Sequence, residues 1–201
     1  AAWMELWNSL HTTEGERWLD LCAGPGGKTA LLAAEALQSG ASLEANEITP
    51  SRAGLVRKAL RAVPLDVVVH EEDGRSFAGD RPGQYDRILV DAPCTGLGAL
   101  RRRPEARWRK PPADVAELAS LQAELLDAAL SAVKVGGVVA YVTCSPHLAE
   151  TAGVVAEVER RFGPAITQLD ARAVLADIAG AEIDLPALWA DLNAAGMVSG
   201  H

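Results

Sequence analysis

Short β-branched apolar runs alternate with helical patterns along this chain, and this alternation restricts the fold more than any other feature. Strands are predicted at residues 17–21, 42–45, 67–70, 87–90 and 138–142. The segments between them are rich in strong helix formers. Such alternation is typical of an α/β domain with a mostly parallel central sheet flanked by helices.

Helices are predicted at residues 29–37, from Pro50 onward, at 113–133 and at 149–162. The pair Gly136-Gly137 is expected to end the long helix before the fifth strand. Trp3, Leu6, Trp7 and Leu10 lie at helical spacing, which predicts a short amphipathic helix. Residues 165–167 are a candidate sixth strand. No convincing last strand follows residue 170, so C-terminal strands of the sheet are expected to be missing.

Length and composition favour a single domain over residues 1–201. The chain has 201 residues, of which 49% are hydrophobic, enough for one core. No apolar stretch approaches the roughly 20 residues that span a bilayer, and no signal-peptide pattern is present. Its three cysteines are widely spaced and lack metal-ligand spacing. We expect a cytoplasmic monomer with reduced thiols, no bound metal and no membrane contact.

Two cysteines lie in separate Pro-containing turns, Asp-Ala-Pro-Cys at 91–94 and Thr-Cys-Ser-Pro at 143–146. Each turn follows a predicted buried strand. Because the carboxyl ends of parallel strands open into one crevice, Cys94 and Cys144 should face the same site. A thiolate nucleophile needs electropositive or hydrogen-bonding surroundings, which Lys28 and nearby amides could give Cys144. For Cys22 an inert, buried role is the simpler interpretation.

A Gly-rich turn at residues 22–28 follows the first strand and leads into a helix. It matches neither the dinucleotide fingerprint nor the phosphate loop, so a phosphate cradle is not indicated. Glu47 follows the second strand, where a carboxylate can accept ribose hydroxyls, and Asp73 follows the third. Either acid alone is more often a cap or turn residue. Their matched placement favours a nucleoside site.

A basic cluster follows the first cysteine turn. It contains one acid, Glu105, and six basic residues: Arg101, Arg102, Arg103, Arg107, Arg109 and Lys110. Such residues could bind RNA phosphates or simply keep a loop soluble. The formal net charge of −8 argues weakly against a nucleic-acid partner, but it hides how charge is distributed. The position of the cluster beside Cys94 favours phosphate contact.

Taken together, these motifs resemble the RNA 5-methylcytosine methyltransferases of the RsmB (Sun/Fmu) type. The resemblance covers residues 18–158, about seven-tenths of the chain, and the family-like core of the domain is about 17–165. It rests on the Leu-Asp-Leu-Cys-Ala-Gly-Pro-Gly-Gly-Lys-Thr run at 19–29, Asp-Gly-Arg at 73–75, Arg-Arg-Pro at 102–104 and the two cysteine turns. It implies a Rossmann-like class I S-adenosylmethionine-dependent methyltransferase fold and methyl transfer to C5 of cytosine in RNA, with ribosomal RNA (16S) as the expected substrate.

The resemblance also assigns roles to individual residues. Cys144 would add to C6 of the cytosine, and Cys94 would assist the later elimination. Asp91 would hydrogen-bond the cytosine ring, with Lys28 near the same edge. The residues implied in binding S-adenosylmethionine are Cys22, Ala23, Gly24, Pro25, Gly26, Gly27, Lys28, Glu47, Arg52, Asp73 and Asp91.

Departures from the family pattern keep alternatives open. Nothing here resembles the N-terminal RNA-binding region of full-length relatives, the usual last β-hairpin is not recognisable, and Thr151 stands where relatives often have Asn. We therefore expect a catalytic-domain fragment or a divergent relative. One alternative is a module that binds S-adenosylmethionine or RNA but is inactive as this chain. Another is a methyltransferase of a different substrate class, which would leave both cysteine turns unexplained.

Overall fold

The computed structural model describes residues 12–99 and 113–169, which form a parallel sheet with helices on both faces. The strands are β1 (Arg17–Asp20), β2 (Ser42–Asn46), β3 (Val68–His70), β4 (Tyr85–Asp91) and β5 (Val133–Val142). The helices are α1 (Gly27–Ser39), α2 (Pro50–Leu60), α3 (Gly74–Gly79), α4 (Ala113–Ala132) and α5 (Ala152–Phe162). Short 3-10 turns cover Leu97–Ala99, Leu148–Glu150 and Gly163–Ala165.

The sheet has the strand order β3-β2-β1-β4-β5, and every neighbouring pair is parallel. This confirms the predicted α/β class. The chain leaves β1 towards β2 on one side and later returns to place β4 on the other side. In such sheets the crevice at the carboxyl ends of the two central strands is the usual ligand site. Here that crevice lies beyond Asp20 and Asp91.

Both faces of the sheet are covered, which explains why the strands read as continuous apolar runs rather than as alternating ones. Trp18 and Leu89 face α1 and α2 in one core cluster. Their neighbours Leu19 and Ile88 face α3 and α4 in a second cluster. Helix α5 packs against α4 through Val154 and its neighbours. Burying each such side chain contributes about 1.5–3 kcal/mol.

The start of β5 differs from the sequence prediction. The strand begins at Val133, directly after α4, and not at Val138. Gly136, at φ 81°, lies inside the strand, where the register with β4 shifts between Tyr85 and Arg87. The glycine pair therefore allows an irregular strand instead of ending a helix.

Two other elements were not anticipated correctly. The six-residue helix α3 was not predicted, because it is too short for a periodic signal; its N-cap Asp73 accepts a hydrogen bond from the Arg75 amide. The candidate strand at 165–167 is wrong: a 3-10 turn covers Gly163–Ala165, and residues 166–169 have no strand pairing. Pro164 cannot donate to a ladder, and Thr167 is exposed.

The predicted amphipathic helix at residues 3–10, the basic cluster at 101–110 and the chain beyond 169 lie outside the described residues. No helix within residues 12–99 and 113–169 is long and apolar enough to cross a membrane.

Candidate active site

The Gly-rich turn lies at the carboxyl end of β1, inside the predicted crevice. The Ala23 amide donates to the carbonyl of Asn46 on β2 at 2.9 Å, which fixes the turn to the sheet. Gly26 has φ 103°, and a Cβ there would lie 2.7 Å from Val56 Cα, so only glycine fits. The turn lines a cavity of about 250 Å³ together with Leu31 and Asp91.

A larger open cavity of about 420 Å³ lies at the other end of the sheet, near Glu16 and Lys134. It contains none of the sequence-predicted site residues. Cavity size alone therefore does not identify the active site. The smaller cavity, beside the Gly-rich turn, is the better candidate for it.

Glu47 and Arg52 brace the same turn. The Glu47 side chain is 3% exposed, and it accepts hydrogen bonds from the amides of Gly24 at 3.1 Å and Thr49 at 2.9 Å. Arg52 donates to the Gly24 carbonyl at 2.6 Å and pairs with Glu47 at 3.4 Å. A Cβ on Gly24 would collide with the Glu47 carboxylate. Glu47 thus lies where the sequence placed it, with its oxygens already bonded to protein donors.

The Asp73 side chain accepts hydrogen bonds from Arg75 in the helix that Asp73 caps. Its carboxylate accepts from Arg75 Nη2 at 2.6 Å, and Arg75 also pairs with Glu124 on α4. These hydrogen bonds from Arg75 hold the pKa of Asp73 below its ordinary value. Asp73 does not line the 250 Å³ cavity. Its role towards an adenine base stays a prediction.

Lys28 and Asp91 form an ion pair in the crevice at the carboxyl ends of the two central strands. Lys28 Nζ lies 2.6 Å from Asp91 Oδ2, and both side chains are partly exposed. Lys28 is the last residue of the Gly-rich turn after β1, and Asp91 ends β4, so the pair joins the segments at the ends of the two central strands. A carboxylate has about four acceptor sites, so the bond to Lys28 leaves Asp91 capacity for a ligand.

The two thiols predicted to share a site do lie together. Cys94 Sγ and Cys144 Sγ are 3.2 Å apart. Cys94 is half-buried and Cys144 is exposed. The Gly98 amide, beyond the first cysteine turn, donates to the Cys144 carbonyl at 2.9 Å and ties the two segments together.

The contact between the sulfurs couples the ionisation of the two thiols. The hydrogen bond from Cys144 lowers the pKa of Cys94 to about 6, against burial, and contacts with Thr143 and the Gly96 amide assist. The same bond, together with burial, raises the pKa of Cys144. The first proton therefore leaves the pair easily and the second is held. At neutral pH the expected state is a Cys94 thiolate that accepts a hydrogen bond from the Cys144 thiol.

Cys22 has a different environment. Burial raises the pKa of its thiol, and nearby carboxylates add to the effect. This geometry supports the interpretation of Cys22 as an unreactive thiol in the wall of the cavity.

Glu150 is the main site residue that sequence reasoning missed. Its side chain is fully buried beneath the two cysteine turns and accepts hydrogen bonds from Thr95, Ser145 and Gln122. The only signal in the sequence was an acid placed shortly after the Thr-Cys-Ser-Pro turn. An acid at a helix start is ordinarily read as a solvated cap, so its burial could not be inferred.

Asp20, at the end of β1, is also buried. It is 1% exposed, and its Oδ2 accepts a hydrogen bond from Thr29 Oγ1 at 2.8 Å. Burial raises the pKa of Asp20 from 3.8 to about 7, although the Thr29 hydrogen bond opposes the shift. Because the folded state binds this proton more tightly than the unfolded state, stability falls as the pH rises from about 4 to about 7.

We expect Asp20→Asn to remove this pH dependence. Between pH 6 and pH 8 the wild-type chain should lose about 1 kcal/mol of unfolding free energy that the variant keeps. Urea denaturation at both pH values measures the difference and stays clear of the sequence pI near 5.0. Equal pH dependence in the two proteins would show that Asp20 does not change its protonation state in this range, contrary to the raised pKa.

The structure thus brings together the Gly-rich turn, Glu47, Arg52, Lys28, Asp91 and both cysteines at one edge of the sheet. Asp73 lies further out. The predicted RNA-binding residues, Arg101 to Lys110, lie outside the described residues. Among residues 12–99 and 113–169, no cluster of three or more His, Cys, Asp or Glu side chains is arranged to hold a metal ion.

Comparison with known proteins identifies the family. The sequence model of the 16S rRNA methyltransferase RsmB/F family matches residues 7–174. The chain belongs to the RsmB/F family. This is a family of S-adenosylmethionine-dependent rRNA methyltransferases, and the fold is that of class I S-adenosylmethionine-dependent methyltransferases, as the sequence resemblance implied.

Individual relatives agree with this assignment. A Mycobacterium tuberculosis protein named as a methyltransferase is 63% identical over 145 residues, covering 72% of this chain and 31% of its own. Ribosomal RNA small subunit methyltransferase B of Serratia proteamaculans is 41% identical over 159 residues, covering 78% and 36%. The crystal structure of NSun6 from Pyrococcus horikoshii with SFG aligns with a TM-score of 0.68 at 28% identity, covering 79% and 40%. The chain spans about a third of the length of these two curated relatives.

Proposed function

We propose that this chain transfers a methyl group from S-adenosylmethionine to C5 of a cytosine in 16S ribosomal RNA, through a covalent bond between Cys144 and C6. The observation that carries the proposal is the 3.2 Å contact between the two sulfurs, at the same carboxyl edge of the sheet as the Gly-rich turn. Direct methyl transfer to a nitrogen or oxygen needs no thiol. Addition to the cytosine ring followed by elimination can use both cysteines, one in each step.

The cavity beside the Gly-rich turn fits part of the cofactor. Residues 22–25, 27 and 28 of the turn line this cavity, so the turn borders the space that a ligand would occupy. Residues 22–28 would hold the methionine part, Glu47 and Arg52 the ribose side, and Asp73 the adenine. When bound, S-adenosylmethionine supplies an electrophilic methyl group. Because Glu47 is already bonded to the Gly24 amide, ribose binding would use its remaining acceptor sites or exchange that bond.

Proton transfer within the cysteine pair accompanies the first step of the proposed reaction. As Cys144 Sγ forms its bond to C6, its proton passes to the Cys94 thiolate across the 3.2 Å contact. The addition turns the C5–C6 double bond into a single bond and moves its electron pair to C5, where it is shared through C4 with the ring nitrogen. That nitrogen takes a proton or a hydrogen bond at the edge formed by Asp91 and Lys28, and C5 becomes the nucleophile for the methyl group. Lys28 holds the Asp91 carboxylate at this edge through the 2.6 Å ion pair.

The second cysteine closes the cycle. After C5 carries the methyl group, loss of the C5 proton to a base restores the double bond and breaks the Cys144–C6 bond. Cys94 holds the proton it accepted earlier, so it can return that proton to the departing Cys144 sulfur. The thiol pair then regains its starting state and the methylated RNA is released. This gives each cysteine a separate step, as the resemblance implied.

An RNA target fits other features of the proposal. A base inside a helix cannot reach the thiols, so the substrate would be a loop or a flipped nucleotide. The basic cluster at residues 101–110 would hold the flanking phosphates. A ribosomal substrate would also place the chain in the cytoplasm, where its thiols stay reduced.

Tritium release tests the proposal directly. With 16S rRNA labelled with tritium at C5 of cytidine, substitution at C5 must release one tritium to water for each methyl group transferred. We expect equal amounts of both from the wild-type chain. Methyl incorporation without tritium release would mean that the target is a nitrogen or oxygen, and the proposed chemistry would be wrong.

A further inference from the structure

The residues directly after the two cysteines share a single buried acceptor. Thr95 follows Cys94, and Ser145 follows Cys144. Both hydroxyls donate to Glu150 Oε2, each at 2.5 Å. The Thr95 amide donates to the other oxygen, Oε1, at 2.8 Å. One carboxylate therefore bonds to both cysteine turns, which are about 50 residues apart in the chain.

The carboxylate is ionised although it is buried. Burial by itself raises the pKa of Glu150, but the hydrogen bonds from Ser145 and Thr95 outweigh it and bring the pKa below its ordinary value. Two other acids with little exposure have a cation: Glu16 pairs with Arg87 and Glu47 with Arg52. Buried Asp20 instead accepts from the Thr29 hydroxyl, and its pKa is raised. Within the described residues, no salt bridge to Glu150 is formed. Its charge is stabilised by hydrogen-bond donors, and these lie mainly on the two turns.

Residues from the surrounding elements hold the carboxylate in place. Gln122 on α4 donates to Glu150 Oε1 at 3.1 Å and to the Pro93 carbonyl at 2.8 Å. The Tyr141 hydroxyl donates to the Glu150 carbonyl at 2.9 Å. The acceptor is thus anchored to α4 and β5, and cannot follow one cysteine turn if that turn moves. Movement of either turn would leave a buried charge short of donors.

We propose that Glu150 is a positioning residue that sets the separation of the Cys94 and Cys144 sulfurs by fixing the residue after each of them. The inference rests on the proposed function for its consequence in catalysis, since proton exchange between the sulfurs needs their contact. A simpler role would be to start α5, which begins two residues later. That role would affect folding, but it would not affect the two thiols in particular.

Capture by phenylarsine oxide measures the contact without RNA or cofactor. The trivalent arsenic condenses with two thiols, forming two As–S bonds while its oxygen leaves with both thiol protons as water. Sulfurs already in contact close this ring with little rearrangement. We would compare the wild-type chain with Glu150→Ala and Glu150→Gln. Glu16→Gln is the matched control, because Glu16 is another multiply hydrogen-bonded carboxylate with little exposure, and it lies near the other end of the sheet.

We expect Glu150→Ala to weaken arsenical binding about tenfold or more, the equivalent of one or two lost hydrogen bonds. Glu150→Gln should fall between this variant and the wild type, because an amide can still bond to Thr95 and Ser145 hydroxyls, which can rotate. Glu16→Gln should stay within about twofold. Melting temperatures identify any variant that has simply unfolded. For methyl transfer, we expect Glu150→Ala to lower kcat about 100-fold with cofactor affinity unchanged.

The inference is overturned if folded Glu150→Ala or Glu150→Gln binds the arsenical as the wild type does, or if Glu16→Gln loses as much as the Glu150 variants. Weak binding by the wild-type chain would also overturn it. These outcomes are independent of the proposed function. If Glu150-dependent capture is found but no tritium is released from labelled RNA, the positioning role stands and the cytosine chemistry fails.

Discussion

Cys144→Ala is expected to abolish tritium release from C5-labelled 16S rRNA, with a loss on the order of 10⁴-fold or more. The size follows from removing the only atom that forms the covalent bond, because loss of a nucleophile removes the whole reaction path rather than one favourable contact. Single-turnover release with excess enzyme is the appropriate measurement, because it is insensitive to product dissociation.

Cofactor binding provides the control for this variant. Cys144 does not line the cavity beside the Gly-rich turn, so calorimetric titration with S-adenosylmethionine should give the same affinity as for the wild type. A Cys144→Ala chain that binds the cofactor and still releases tritium at more than a few per cent of the wild-type rate would contradict a covalent Cys144–C6 bond.

Cys94→Ala should slow multiple turnover by about 10²- to 10³-fold while allowing the first methyl transfer. Without the neighbouring thiolate, the pKa of Cys144 should fall towards that of an ordinary cysteine, near 8.5, so Cys144 can ionise by itself at mildly alkaline pH. What the variant lacks is the proton donor for the departing sulfur. Rapid-quench measurement of labelled methyl should show a burst of at most one methyl group per enzyme.

The pH dependence of that burst gives a second readout. In the wild type the first methyl transfer, measured in a single turnover, should proceed from about pH 6 upward, where the cysteine pair loses its first proton. In Cys94→Ala the midpoint should move up by about two pH units. If Cys94→Ala turned over steadily without a burst, Cys94 would have no role in elimination.

Sequence patterns predicted well which strand ends and turns carry the site residues, and the reason is physical. Parallel strands buried on both faces leave apolar runs, and the turns that follow them lie at one edge. The positions of Cys94 and Cys144 at two strand ends therefore sufficed to bring their thiols together. The same reasoning placed the Gly-rich turn and Glu47 beside β1 and β2. Family membership then followed from motifs that the comparisons confirmed.

The features that were missed depend on tertiary packing. Glu150 reads as an exposed acid in the sequence, and only the convergence of Thr95, Ser145 and Gln122 makes its burial favourable. The glycine pair in β5 resembles a helix end because glycine permits both a helix end and a strand bulge. Local propensity could not distinguish these outcomes.

A denaturing gel of Cys94→Ala tests the covalent mechanism most directly. The variant is incubated with S-adenosylmethionine and 16S rRNA, and the double variant Cys94→Ala/Cys144→Ala serves as the control. We expect a slowly migrating protein–RNA band in the single variant that is absent from the double variant. A band that persists in the double variant would contradict the assigned nucleophile. So would the absence of any band from Cys94→Ala under conditions in which the wild-type chain releases tritium.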